Sequence, residues 1–125
     1  MPDKKKILIV DDEEDFGKMV KLNLERTGGY EVKCETRGGN AVASAQEFSP
    51  DLIFLDVIMP DVDGGEVMGR IKENPAVNNI PVVFLTAIVT DKEAAQLEGI
   101  VAGRPFLAKP ITTAKLIACI NKYLK

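Results

Sequence analysis

In Asp51-Leu52-Ile53-Phe54-Leu55-Asp56-Val57-Ile58-Met59-Pro60-Asp61, an apolar run of strand length ends on an aspartate and meets a proline-punctuated turn. A strand with no polar alternation is buried on both faces, as the central strand of a parallel sheet must be. Asp56 then sits at the carboxyl edge of that sheet. Open α/β sheets hold their ligands at this edge, near the point where strand order reverses. A carboxylate placed there serves as a metal ligand, a nucleophile or a helix cap.

Outward from this run, the same pattern repeats. Ile7-Leu8-Ile9-Val10 is a second apolar strand, ending on Asp11-Asp12. Glu13, Glu14 and Asp15 lead into a helix bearing Phe16, Met19, Val20 and Leu24, stopped by Gly28-Gly29. Acidic residues suit the positive end of a helix dipole, which is explanation enough for Glu13 to Asp15. Tyr30 to Glu35 alternates apolar and polar and reads as an edge strand with one wet side. Gly38-Gly39 opens a short helix with Ala41, Val42, Ala45 and Phe48, closed by Ser49-Pro50.

On the other side, a loop from Asp61 to Gly65 precedes a helix carrying Val67, Met68 and Ile71. Ile80 to Leu85 is a third buried strand, with Pro81 tolerated near its start, and it ends on Thr86. A weaker helix is predicted from about Asp91 to Gly99. Pro105 to Ala108 forms a short last strand ending on Lys109-Pro110. The last helix presents Leu116, Ile117, Ile120 and Leu124, with Thr112 or Thr113 as its N-cap. Strands alternating with helices mean a doubly wound α/β fold, a five-stranded parallel sheet with helices on both faces, spanning 1–125 as one domain.

The 125 residues, 46% hydrophobic and 28% charged, are enough for one domain with a buried core. A net charge of -3 gives no footprint for direct nucleic-acid binding. No apolar run approaches the ~20 residues of a membrane span, and the residues before Ile7 do not read as a signal peptide. Cys34 and Cys119 lie in core-like patterns, so reduced thiols and a cytoplasmic location are expected. The chain has no histidine, which removes histidine general bases, histidine metal ligands and phosphohistidine chemistry from its own side chains.

Four strands therefore end on reactive polar residues: Asp11-Asp12, Asp56, Thr86 and Lys109. Parallel strands bring those ends to one crevice. Three carboxylates held close repel one another and favour sharing a proton or binding a cation. All-oxygen ligation suits Mg²⁺, with Mn²⁺ as substitute, and not zinc. Beside such an ion a carboxylate can attack phosphorus to form an acyl phosphate. Lys109 can pair with phosphoryl oxygens as a point charge, and the Thr86 hydroxyl can donate to another of them.

The motifs Ile9-Val10-Asp11-Asp12-Glu13, Leu55 to Gly64, Leu85-Thr86-Ala87 and Phe106-Leu107-Ala108-Lys109-Pro110 resemble the receiver domain of two-component response regulators. The resemblance covers essentially the whole chain, in order. It implies strand order 2-1-3-4-5 and Asp56 as phosphoacceptor. It implies Mg²⁺ held by Asp12 directly, by Asp11 largely through water, by Asp56 and by the backbone carbonyl of Ile58. It also implies a cis peptide before Pro110 and a switch in which Thr86 moves toward the phosphoryl group while Phe106 turns inward. The face built from the fourth helix, last strand and last helix then changes shape for a partner or for a homodimer. Phenylalanine has no hydroxyl, so switching at Phe106 works through packing alone.

The donor implied is a histidine kinase or histidine phosphotransfer protein, and the domain is a switch rather than a turnover enzyme. Ile58 and Ile88 stand at the positions flanking the phosphoryl group, where two aliphatic side chains cannot orient a hydrolytic water, so slow autodephosphorylation is expected. The apolar segment from Gly99 to Pro105 departs from the family pattern and reads as either an interaction surface or local repacking. Two other readings stand beside this one. One is a degenerate receiver-like binding module; the other is a phosphohydrolase of the haloacid dehalogenase type, suggested by Asp61-Val62-Asp63-Gly64. Ending at Lys125, the chain reads as a stand-alone receiver or as the receiver of a longer chain.

Overall fold

Apolar runs bounded by turn residues become adjacent parallel strands in a computed structural model, which describes residues 4–87, 104–109 and 111–124. The elements run β1 (Lys5–Val10), α1 (Glu14–Arg26), β2 (Tyr30–Glu35), a 3-10 turn (Gly38–Asn40), α2 (Ala41–Phe48), β3 (Leu52–Asp56), α3 (Gly64–Glu73), β4 (Val82–Thr86), β5 (Phe106–Ala108) and α4 (Thr113–Tyr123). The strands form one sheet in the order β2-β1-β3-β4-β5, and every neighbouring pair is parallel. The expected fold class and strand order are both observed.

Alternate side chains of the buried strands feed two cores. Leu8, Val10, Ile53, Leu55 and Phe84 pack with Ala41, Ala45, Val67 and Ile71 from α2 and α3. Ile7, Ile9, Phe54, Val83 and Leu85 face the other way, against Val20 and Leu24 of α1 and Leu116 and Ile120 of α4. β3 is buried at every position, which is why it lacks polar alternation. β2 is an edge strand, as its period-two pattern predicts. Its exposed edge is blunted by α1: Val32 N–H donates to Glu25 at 3.0 Å, and Lys21 Nζ donates to Val32 O at 2.7 Å.

The differences from the sequence reading are local. Met19 is 46% exposed, because the α1 stripe facing the sheet runs through Gly17, Val20 and Leu24. Ile80-Pro81 and Pro105 precede their strands, and Gly64-Gly65 form the first turn of α3 rather than the preceding loop. Thr112, not Thr113, caps α4, accepting from Lys115 N–H at 3.2 Å. The helix predicted at about Asp91 to Gly99 lies outside the described residues, as do Ile88, most of the apolar segment before Pro105, and Pro110. No helix of the described residues is long and apolar enough to cross a membrane.

The turn after β3 is set by one close approach. Gly64 N–H donates to Val57 O at 2.7 Å, and a Cβ on Gly64 would lie 2.7 Å from Asp56 O and 2.8 Å from Val57 Cα. Asp63 caps α3 by accepting from Glu66 N–H at 2.9 Å. The helix start is thereby pressed against the strand end that carries Asp56. Gly64→Ala forces backbone against backbone, and thermal unfolding is expected to show a loss of about 1–3 kcal/mol. Unchanged stability would mean that the turn relaxes freely.

Candidate functional site

Strand order places the ends of β1 and β3 side by side where the chain leaves in two directions, α1 leading to β2 and α3 to β4. Val10 is level with Leu55 in the register, so Asp11 and Asp56 leave the sheet at the same height. Thr86 ends β4 opposite Ala108, and Lys109 N–H donates to Thr86 O at 2.7 Å, extending the ladder to the lysine itself. The residues singled out at four strand ends are thus carried to one rim of the sheet.

Asp11, Asp12 and Asp56 each offer an oxygen to a cluster in which these atoms all lie within 4.8 Å of one another. Asp11 and Asp56 are buried, whereas Asp12 faces solvent. Burial, and then the charge of Asp11, push the Asp56 carboxyl up to about 8. Burial also raises Asp11, against the pull of Lys109 and of Glu13 N–H, which donates to Asp11 Oδ1 at 2.9 Å. Two buried carboxylates and a third at the rim therefore carry more negative charge than one lysine offsets. All donors are oxygens and one side is open to water, so the set fits a hard divalent cation that keeps part of its hydration.

Lys109 Nζ lies 2.6 Å from Asp11 Oδ2, an ion pair with the buried carboxylate. It also donates to Glu13 Oε1 at 2.9 Å and stands 4.5 Å from the centre of the Phe16 ring. Burial pulls the lysine down, but its bonds to Asp11 and Glu13 and the charge of Asp56 more than offset this, leaving it above its usual range. Among the described residues no ion pair joins Lys109 to Asp56.

Thr86 is buried, and its hydroxyl has no hydrogen-bond partner among the described residues. A buried unpaired hydroxyl is uncommon and is well suited to a polar group arriving in the crevice. Ile58 is 46% exposed beside the site, its N–H donating weakly to Asp56 Oδ1 at 3.4 Å. Phe106 is 53% exposed and stands outside the buried core.

Two acidic residues differ from their sequence reading. Glu13 is more than a helix-dipole residue: its carboxylate reaches across 96 positions of sequence to Lys109. Nothing in the local pattern marks that pairing, which depends on where β5 ends. Asp61 instead accepts from Gly38 N–H at 3.3 Å and Gly39 N–H at 2.9 Å, tying the loop after β3 to the start of α2. Those backbone bonds, Gly39 first, hold its carboxyl below the usual range. Asp61 is not among the gathered carboxylates.

The response regulator receiver domain model matches residues 7–121. The phosphate regulon transcriptional regulatory protein PhoB of Rhizobium meliloti is 34% identical over 121 residues, covering 96% of this chain and 52% of the relative. Response regulator PleD of Caulobacter vibrioides is 38% identical over 117 residues, covering 93% of this chain and 25% of the relative. The chain thus spans about half the length of the first and a quarter of the second. Among solved structures, chemotaxis protein CheY4 of Vibrio cholerae superposes with a TM-score of 0.81 at 30% identity, covering 97% of this chain and 99% of that one. The receiver domain of a signal transduction histidine kinase from Syntrophus aciditrophicus gives 0.81 at 31% identity, covering 96% and 89%. A match in sequence and in backbone that reaches from within β1 to within α4 has one meaning: the chain belongs to the family of response regulator receiver domains.

Proposed function

We propose that this receiver accepts a phosphoryl group on Asp56 from a histidine kinase or histidine phosphotransfer protein. The observation that carries the reading is the gathering of Asp11, Asp12 and Asp56 within 4.8 Å, with Lys109 against the same cluster. An Asp56 oxygen attacks phosphorus; the bond from phosphorus to the donor nitrogen breaks, and the donor imidazole keeps the electron pair and takes up a proton. These 125 residues hold no histidine, so the donor histidine lies outside them. Asp11, Asp12, Asp56 and the backbone carbonyl of Ile58 would hold Mg²⁺, or Mn²⁺ in its place, which when bound supplies charge neutralisation for the carboxylates and the incoming phosphoryl oxygens.

Lys109, paired with Asp11 of the same cluster, would move its ammonium onto a phosphoryl oxygen, and the Thr86 hydroxyl would supply a second donor. Thr86 would thereby couple the acceptor to β4, and exposed Phe106 to β5, so that packing on this face changes with phosphorylation. The output is a protein contact, either with a downstream partner or with a second copy of the chain. The domain acts as a cytoplasmic switch without substrate turnover.

Intact mass after incubation with acetyl phosphate tests this directly. A gain of one phosphoryl group that requires Mg²⁺ and is absent in Asp56→Asn is the expected result. No gain in the wild-type chain under any condition would favour a receiver-like binding module. The decay of the modified species reads the shielding by Ile58: it is expected to be slow, and faster in Ile58→Asn.

A further inference from the structure

The lysine of the site is held by more than the site. Its ammonium has three protons to donate, and two oxygens face it, Asp11 Oδ2 at 2.6 Å and Glu13 Oε1 at 2.9 Å. The Phe16 ring lies against it at 4.5 Å, a distance at which the ring face attracts a cation. The two carboxylates are unlike. The Asp11 side chain is 0% exposed, whereas that of Glu13 is 63% exposed. An exposed ion pair is screened by water and weak, so Glu13 is the partner that Lys109 can release. The buried partner is not.

We infer that Glu13 is a positioning residue that parks the Lys109 ammonium over Phe16 and away from Asp56, restraining phosphoryl transfer. The inference rests on Asp56 being the phosphoacceptor. The ammonium is turned toward Asp11 and Glu13 and, among the described residues, makes no ion pair with Asp56, so reaching a phosphoryl oxygen there moves it off the exposed Glu13 carboxylate. The arriving group brings about two negative charges against the single charge of Glu13, so the exchange runs toward the phosphoryl group. Phe16 keeps the ammonium beside the crevice during the exchange, because its attraction does not depend on one proton direction. Removing Glu13 therefore leaves Lys109 in place but free to engage Asp56 sooner.

The test compares Glu13→Gln with Glu14→Gln, which removes the same charge one residue further on from a side chain paired with Lys18. With acetyl phosphate and Mg²⁺, Glu13→Gln is expected to be phosphorylated about two to five times faster than the wild-type chain, the range an exposed ion pair allows. Glu14→Gln should match the wild type. A second readout needs neither donor nor metal: the ¹⁵N resonance of the Lys109 ammonium, identified by its absence in Lys109→Met. It should be sharp and slow to exchange in the wild-type chain, and broadened in Glu13→Gln. A Glu13→Gln rate equal to or below the wild type, or an unaltered ammonium resonance, overturns the proposal alone. A wild-type chain that takes no phosphoryl group overturns the phosphoacceptor reading and this proposal with it.

Discussion

Without metal at pH 8, Asp56→Asn is expected to be more stable than the wild-type chain by roughly 2–3 kcal/mol, about 5–10 °C in Tm. The cause is the raised carboxyl of Asp56, ordinarily near 3.8 and here pushed up to about 8 by burial and by Asp11. Below the ordinary value, folded and unfolded chains both hold the proton, and ionisation adds nothing. Between the two values the unfolded chain gives up its proton while the folded chain keeps it. The unfolded state then binds fewer protons, so stability falls as pH rises through this window. Asparagine cannot ionise, and its amide can donate to the neighbouring carboxylates.

Thermal unfolding of both proteins in a chelator, from pH 4.5 to pH 8, checks this. The advantage of Asp56→Asn should be small at the acid end and grow with pH. A pH-independent difference, or a less stable variant at pH 8, would show that Asp56 is not held in a charge-strained site. Under the proposed function, adding Mg²⁺ at pH 8 should raise the wild-type Tm and narrow the gap.

Lys109→Met is expected to do the opposite, lowering stability at pH 8 by about 2–3 kcal/mol. Methionine keeps an apolar stem against Phe16 but removes the cation that, among the described residues, pairs with buried Asp11. The raised carboxyls of Asp11 and Asp56 would rise further, because each now lacks the charge that pulls it down. By the same proton balance, stability then falls more steeply between pH 4.5 and pH 8, and the loss should shrink toward the acid end. Urea titrations at both pH values distinguish this from simple loss of packing, which would be equal at each. In the Asp56→Asn background the penalty at pH 8 should also shrink, since one of the two buried charges is gone.

Much of the site was legible because strand ends are legible. Leu52 to Leu55 and Ile7 to Val10 have no polar face, so each must be buried on both sides, as in a parallel sheet. Asp11, Asp56, Thr86 and Lys109 interrupt or follow such runs, and parallel strands leave those positions on one rim. The strand order itself came from the resemblance in the motifs, not from any strand taken alone. Glu13 was read as part of an acidic first helical turn, a local explanation that is physically sound but incomplete. Its bond to Lys109 spans 96 positions and exists because the ladder to Thr86 holds Lys109 at the rim where β1 also ends.

Phe106 and Asp61 show the same division. Phe106 lies on a three-residue edge strand that pairs with β4 alone, and it stands 53% exposed. Asp61 shares a motif with catalytic aspartates, yet it anchors Gly38 and Gly39 because the loop after β3 reaches the 3-10 turn ahead of α2. Hydrophobic periodicity, which depends only on neighbours along the chain, determined the strands, the helices of the described residues and which side chains reach the rim. Charge partners, the exposure of Phe106 and the holding of Lys109 by Glu13 were decided by tertiary structure. Coulombic and packing forces act through space, and no local pattern records distance across the sheet.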